Sequence, residues 1–325
     1  MREYQSIVAN IIYSQVNIVK EESSFVMECI TALRMTVDND MKDLFEREST
    51  GQLSEDDFVR VWTDLIGLPM YWYVYVIESS EHTKNGYNRD QAVIYGLLTR
   101  MYKTMCYERR ITCKRVNSRL FAFTFTRMIF DDAIKVQYFI KHPDEIDNYC
   151  ISSLRGDKEL LELISRNQSN RTEEVSPDFI EWESGLKDRA EERFRKQGMD
   201  VGEKLARITD MRKMLKDLDM EETYVLYAIS SDSVHGGWAS IHQEFLIEEN
   251  GRYYPNFNDH DVDVRQILDI IQLCFITLKF FLESFHGHGI PQEILTEIIE
   301  DMNRINSLVE VNQNYVRNKP LNDLR

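Results

Sequence analysis

Helical periodicity, seldom interrupted, is what most limits the folds open to this chain. Apolar residues recur three and four positions apart along most of its 325 residues, and only six prolines and 13 glycines punctuate them. Ile7, Ile11, Ile12, Val16 and Val19 form one such stripe, which predicts a helix from Glu3 to about Val19. A second helix is expected from Glu22 to about Arg47, broken by the Ser-Thr-Gly at 49–51. Ser54 then fits an N-cap, with Glu55, Asp56 and Asp57 in the first turn of a helix running through Trp62. Leu68-Pro69 is read as the end of this unit, with the aromatic run Tyr71-Trp72-Tyr73 following it. The polar stretch 79–88 marks the expected boundary between an N-terminal helical region, 1–85, and a main helical domain, 86–325.

Past that boundary the spacing predicts long helices over 89–110 and 114–141, the second stopping before His142-Pro143. Shorter helices are expected over 153–167, 177–197, 200–217 and 220–235. Asn250-Gly251, flanked by Phe245-Leu246-Ile247 and Tyr253-Tyr254, is the one hairpin signal. Helices over 262–285 and 291–316 close the chain around a His-Gly-His-Gly break. There is no internal repeat and no sustained heptad. The expected fold is all-α, a multi-helix bundle with an N-terminal helical layer and at most one small β-hairpin.

Charge narrows the function classes. A formal net charge of −16 opposes sequence-blind attraction to nucleic acid or to an anionic membrane, though it leaves room for a local basic site. The longest uncharged run, Leu65 to Ile77, is 13 residues, short of the roughly 20 that span a bilayer. No membrane association is expected. Met1-Arg2-Glu3-Tyr4-Gln5 opens an amphipathic pattern and not a secretory leader. Five scattered cysteines, none spaced Cys-x-x-Cys, suit a reducing, cytoplasmic setting and give no disulfide framework. No glycine-rich phosphate loop, nucleophile elbow or dinucleotide fingerprint implies a cofactor. Asn258 to Asp263 and His286-Gly287-His288 carry metal-ligand residue types but match neither a calcium loop nor a helical zinc motif, so no metal is expected.

The unusual segment runs from Tyr224 to Gly237. At helical spacing Tyr224, Tyr227, Ala228, Ser231 and His235 share a face, which carries hydroxyls and an imidazole where a core face carries leucine and isoleucine. Gly236 and Gly237 stop the helix just after His235, where the negative helix end favours an imidazolium. Asp232, three residues back, is placed to orient one ring nitrogen. The plainer reading of the same residues is ordinary helix-end capping, with the serines bonded back to their own helix.

Three blocks supply context. Arg127 to Ile140, with its Arg-x-x-x-acid pattern, is followed by Tyr149-Cys150-Ile151-Ser152-Ser153-Leu154 and by a Tyr-x-x-Ser-x-x-x-Val-His-Gly block from Tyr227 to Gly236. In content and order they resemble a bacterial family of helical proteins catalogued as a domain of unknown function (number 5677), over roughly 90–240. That family pattern often has an arginine after the tyrosine, which is similar to the Arg-six-residue-His signature of HEPN-type helical bundles. Those bundles include metal-independent ribonucleases of defence systems. The resemblance implies a histidine that handles the ribose 2′-hydroxyl proton and an arginine that steadies phosphate. Here the arginine position is Ala228, which points to weak or lost activity. Arg127, from a neighbouring helix, is the candidate replacement, and its plainer role is an ion pair with Asp131 one turn on.

A basic island supplies the second candidate. Between Arg100 and Arg127 eight basic residues face the single acid Glu108, interleaved with Tyr102, Tyr107, Phe121, Phe123 and Phe125. Arg109, Arg110, Lys114 and Arg115 are the expected RNA contacts, with the aromatics offering stacking surfaces. The leading expectation is thus a defence- or stress-associated RNA-acting protein. In it His235 is general acid/base, Ser231 and Tyr227 position substrate, and Arg127 contacts phosphate. The other expectation is a non-catalytic interaction scaffold, a homodimer or the binder of another protein, whose apolar stripes include the partner surface.

Overall fold

A computed structural model describes residues 23–114, 118–172, 175–235, 237–256 and 264–318, together with most of their side chains. The expected helix over 3–19 and the metal-type residues from Asn258 to Asp263 lie outside the described residues. Within them the regular elements are helices, apart from one antiparallel hairpin of Leu246–Glu249 and Arg252–Pro255. The hairpin pairs Ile247 with Tyr254 and Glu248 with Tyr253 around Asn250-Gly251, both at positive φ as such a turn requires. The all-α expectation, with its single hairpin, is met.

The helix at the centre of the first half is Gly67–Ser79. Residues 67–74 and Val76 are all buried, so it has no outward face and must sit inside other helices. It packs against Ser23–Thr50 and Arg89–Lys114. Pro69 opens this helix and does not end the unit before it. In the first turn the missing amide hydrogen of proline has no intrahelical acceptor to lose. Glu55–Leu65 precedes it, and there Asp57 Oδ2 accepts from the Ser54 amide at 3.0 Å and its hydroxyl at 2.7 Å.

A buried carboxylate ties this helix to the end of the chain. Asp301, fully buried in helix Gln292–Asn318, accepts from Trp72 Nε1 at 2.7 Å and from Arg34 Nε at 2.8 Å. Arg34 also donates to Glu297 at 2.9 Å, and Arg304 reaches Asp301 at 2.6 Å. Its oxygens are thus satisfied from three helices, as a buried carboxyl group requires. Further buried bonds join helix Val264–Ser284: Tyr73 donates to the Cys274 carbonyl at 3.1 Å, and Gln137 to Thr277 at 3.1 Å.

The chain divides into two compact units, 1–140 with 214–325, and 141–213. The boundary expected near residue 85 falls inside the first unit, across which the Asp301 bonds run. The second unit holds helices Glu145–Ser152, Arg155–Ser169 and Pro177–Lys196 around Leu154, Leu161, Ala190 and Phe194. Arg171 donates to Glu183 at 3.0 Å, joined by Gln168 at 3.1 Å. The helix expected over 200–217 is confined to Met211–Asp217. Asp210 accepts from the Lys213 amide at 3.1 Å and so caps a fresh start there, while Glu203 turns back to the Asp200 amide at 2.8 Å.

Candidate functional site

The helix Tyr224–His235 forms as expected, preceded by a 3-10 turn at Glu221–Thr223. It lies beside helix Ser118–Lys141, and the two meet at Arg127, Phe130 and Tyr227. The Arg127 guanidinium carbon is 3.3 Å from the centroid of the Tyr227 ring. Phe130 approaches the same ring at 6.0 Å between centroids, and Tyr224 stacks on it at 5.3 Å. Arg127 also pairs with Asp131 at 3.4 Å, and its side chain is only 16% exposed. Two of the four expected site residues are thus in direct contact, but the guanidinium is taken up by a ring face and a carboxylate.

His235 stands apart from them. It is exposed at the last turn, eight residues beyond Tyr227, which places it about 12 Å further along the helix axis. Ser231 lies between, half-buried. Asp232 is turned elsewhere: its Oδ2 accepts from the Ser240 amide at 3.2 Å, at the start of helix Trp238–Phe245. Gly237 is the N-cap of that helix and has no side chain to do this work. A Cβ on Gly237 would meet Asp232 Oδ1 at 1.7 Å, so the glycine is what lets the carboxylate in. The expected role of Asp232 as orienter of His235 gives way to capping, because the amides of a new helix are stronger bidders for a carboxylate than an exposed ring.

The 224–235 helix buries two serines and leaves three apolar side chains exposed. Ser230 and Ser233 are buried, and Ser230 donates back to the Leu226 carbonyl at 2.8 Å, the plainer reading of these serines. Val225 is 60% exposed, Ile229 52% and Val234 43%. Past the helix Trp238, Phe245, Ile247, Tyr253 and Tyr254 are exposed as well. Trp238 stacks on His242 at 5.8 Å, and Tyr253 packs edge-on against both, at 5.6 and 5.4 Å. His242 pairs with Glu248 at 3.3 Å. Sequence reasoning passed over Trp238 and His242; their four-residue spacing just ahead of the Asn-Gly turn was the available signal.

The basic island does not form one face. Arg109 is buried, donating to the Thr63 carbonyl at 2.9 Å and to Asp64 at 3.2 Å. Arg100 forks onto the fully buried Asp132, whose carboxyl burial pushes up while the guanidinium holds it down. Arg110 is exposed beside the Tyr107 ring at 5.9 Å. Lys114 ends its helix with its side chain outside the described residues, as is the whole of Arg115. Of the interleaved aromatics, Phe123 is core and Tyr107 is 56% exposed. Among the described residues no three metal-ligating side chains converge, and no helix is long and apolar enough to cross a membrane.

A model of the Family of unknown function (DUF5677) matches residues 91–253. No curated protein and no solved structure matches the chain. The matched span begins in helix Arg89–Lys114 and ends in the second strand of the hairpin, so it contains the Arg127–Tyr227 contact, His235 and the exposed aromatic cluster together.

Proposed function

The chain belongs to that family of unknown function, and from this premise we propose that it acts as a non-catalytic protein-interaction module. The docking surface is drawn from the exposed apolar side chains between Val225 and Tyr254, centred on the Trp238–Tyr253 cluster, and its occupant is a second copy of the chain. The observation that carries this reading is the exposure of Val225, Ile229 and Val234 on a helix that buries Ser230 and Ser233. A helix that stays on a monomer's surface puts its apolar residues inward. Clustered aromatics of the Trp238–Tyr253 kind are also what protein interfaces favour over open surface. The net charge of −16 weighs against nucleic acid at the same face.

The ribonuclease reading draws on one observation, the exposure of His235 at a helix end. It needs Arg127 to leave the Tyr227 ring and Asp131. Two measurements on the same preparation separate the readings. Sedimentation velocity compares the parent with an Ile229→Ser/Trp238→Ser variant, and cellular RNA is incubated with the parent and His235→Ala in excess chelator. A parent dimer that the surface variant loses, with no His235-dependent cleavage, is the expected result. A monomeric parent whose cleavage vanishes in a folded His235→Ala protein would replace this reading with the enzymatic one.

A further inference from the structure

The turn of the hairpin Leu246–Glu249 and Arg252–Pro255 decides which of its backbone groups face outward. Asn250 and Gly251 make a two-residue turn with both φ positive, so the flanking Glu249 and Arg252 form a hydrogen-bonded pair. Such pairs recur at every second position, and Ile247 with Tyr254 is the next. The Asn256 amide continues the alternation, donating to the Phe245 carbonyl at 2.8 Å. Leu246 and Glu248 on the first strand, and Tyr253 and Pro255 on the second, therefore turn their backbone groups away from the hairpin.

The two edges are unequal. Pro255 has no amide hydrogen, so the second strand lacks a donor where a neighbour would need one, and proline is a common way to close an edge. The first strand has no proline, and among the described residues no third strand joins it. The side chains are sorted as well. Glu248 and Tyr253 face helix Trp238–Phe245, where His242 lies 3.3 Å from the carboxylate and 5.4 Å from the centroid of the tyrosine ring. Ile247 and Tyr254 share the opposite face and are 39% and 46% exposed.

We propose that the open edge of Leu246–Glu249 pairs antiparallel with the same strand of a second copy, joining the two hairpins into one sheet across a two-fold axis. The inference rests on the self-association reading above and names the contact that performs it. With the axis at Ile247, Leu246 lies opposite Glu248 of the second copy and Glu248 opposite its Leu246, so the outward amides and carbonyls of this edge all find partners. Ile247 then meets its own copy at a non-hydrogen-bonded position, where strands bring side chains closest, about 4.5 Å between Cα atoms. An axis at Glu248 would set like charges directly opposite. An axis at Leu246 would bring Glu248 to Glu244, which is helical, and leave it unpaired. Local partners temper the acids of this strand, His242 beside Glu248 and Arg252 across from Glu249. The second copy is the occupant because the edge complements itself, in its backbone groups and in the isoleucine brought onto the axis; an extended peptide of another protein needs no such symmetry. The joined sheet also gives the hairpin the neighbours that a lone pair of strands lacks.

The test uses the full chain. Under mild oxidation Ile247→Cys is expected to form covalent dimers about tenfold or more faster than Arg252→Cys, because opposed Cα atoms at that separation suit a disulfide and position 252 lies a strand further from the axis. The parent, with its own cysteines, sets the background. Glu248→Pro removes an outward amide without touching the hairpin's own bonds and is expected to sediment as a monomer, whereas Glu248→Gln keeps the amide and should stay dimeric. A parent dimer that survives Glu248→Pro, with position 247 no faster to cross-link than 252, would overturn the edge pairing and leave self-association through other side chains standing. Loss of the dimer in Glu248→Gln as well would assign the contact to the carboxylate and against the edge. A monomeric parent would overturn both this pairing and the reading it rests on.

Discussion

Arg127 and Tyr227 form the closest cation–ring contact in the described structure, 3.3 Å from guanidinium carbon to ring centroid, and the two residues come from helices a hundred positions apart in the chain. The contact joins helix Tyr224–His235 to Ser118–Lys141, which gives it a structural role whatever the site does. Partly desolvated contacts of this kind contribute about 1 kcal/mol. Arg127→Met, Tyr227→Leu and their combination, compared by urea unfolding, are expected to show a positive interaction energy of that order. Strict additivity of the two single changes would mean that the contact is incidental.

Asp301 gathers Trp72, Arg34 and Arg304 on one fully buried carboxylate. Asp301→Ala leaves two guanidinium groups facing an empty site, and losses of about 3–5 kcal/mol accompany such one-sided removals. Asp301→Asn keeps an acceptor and should lose less. Urea midpoints give the ranking, with an unchanged slope confirming that the folded and unfolded states are otherwise alike. Alanine no worse than asparagine would show that the charge is not what holds these helices.

Much of this architecture could be read from the sequence because its signals are local. The stripes, Ser54 with Asp57, and Asn250-Gly251 each act within a few residues of the element they specify. The same holds for the pairing of Arg127 with Asp131. What could not be read depends on partners far along the chain. Nothing near Asp301 announces Trp72, and nothing near Arg109 announces the Thr63 carbonyl that makes it a buried fastener instead of a surface charge. Asp232 caps a helix that starts six residues later, across two glycines, so the rule that places caps next to their helices missed Trp238–Phe245. Helix Tyr224–His235 was half visible: its extent could be read, but not that Ser230 and Ser233, off the predicted polar face, would be the buried serines.

Gly237 is expected to tolerate no side chain. Alanine there would collide with the Asp232 carboxylate and drive it from the Ser240 amide, removing a cap worth about 1 kcal/mol. Asp232→Ala removes the same cap directly. Thermal unfolding should therefore find the Asp232→Ala/Gly237→Ala protein little worse than Asp232→Ala alone. A full second loss in the double variant would mean that the glycine serves something other than that carboxylate.

Glu108 gives the fold its clearest pH dependence. It is 1% exposed on helix Arg89–Lys114, and burial pushes its carboxyl up to about 8. The folded protein therefore carries it protonated at neutral pH, while the unfolded chain ionises it near the ordinary value of about 4.3. Between those values the folded state holds a proton that the unfolded state has released, so stability falls as pH rises. Below the unfolded value nothing is lost, and above about 8 the loss is complete. Glu108→Gln keeps the shape without the ionisation. Its advantage over the parent should be small near pH 4 and reach on the order of 3 kcal/mol at neutral pH, since each tenfold difference in proton affinity between the two states is worth about 1.4 kcal/mol. Urea unfolding of both proteins across that range measures the difference directly. A difference that does not change with pH would mean that Glu108 is ionised in the fold, held there by a compensating charge.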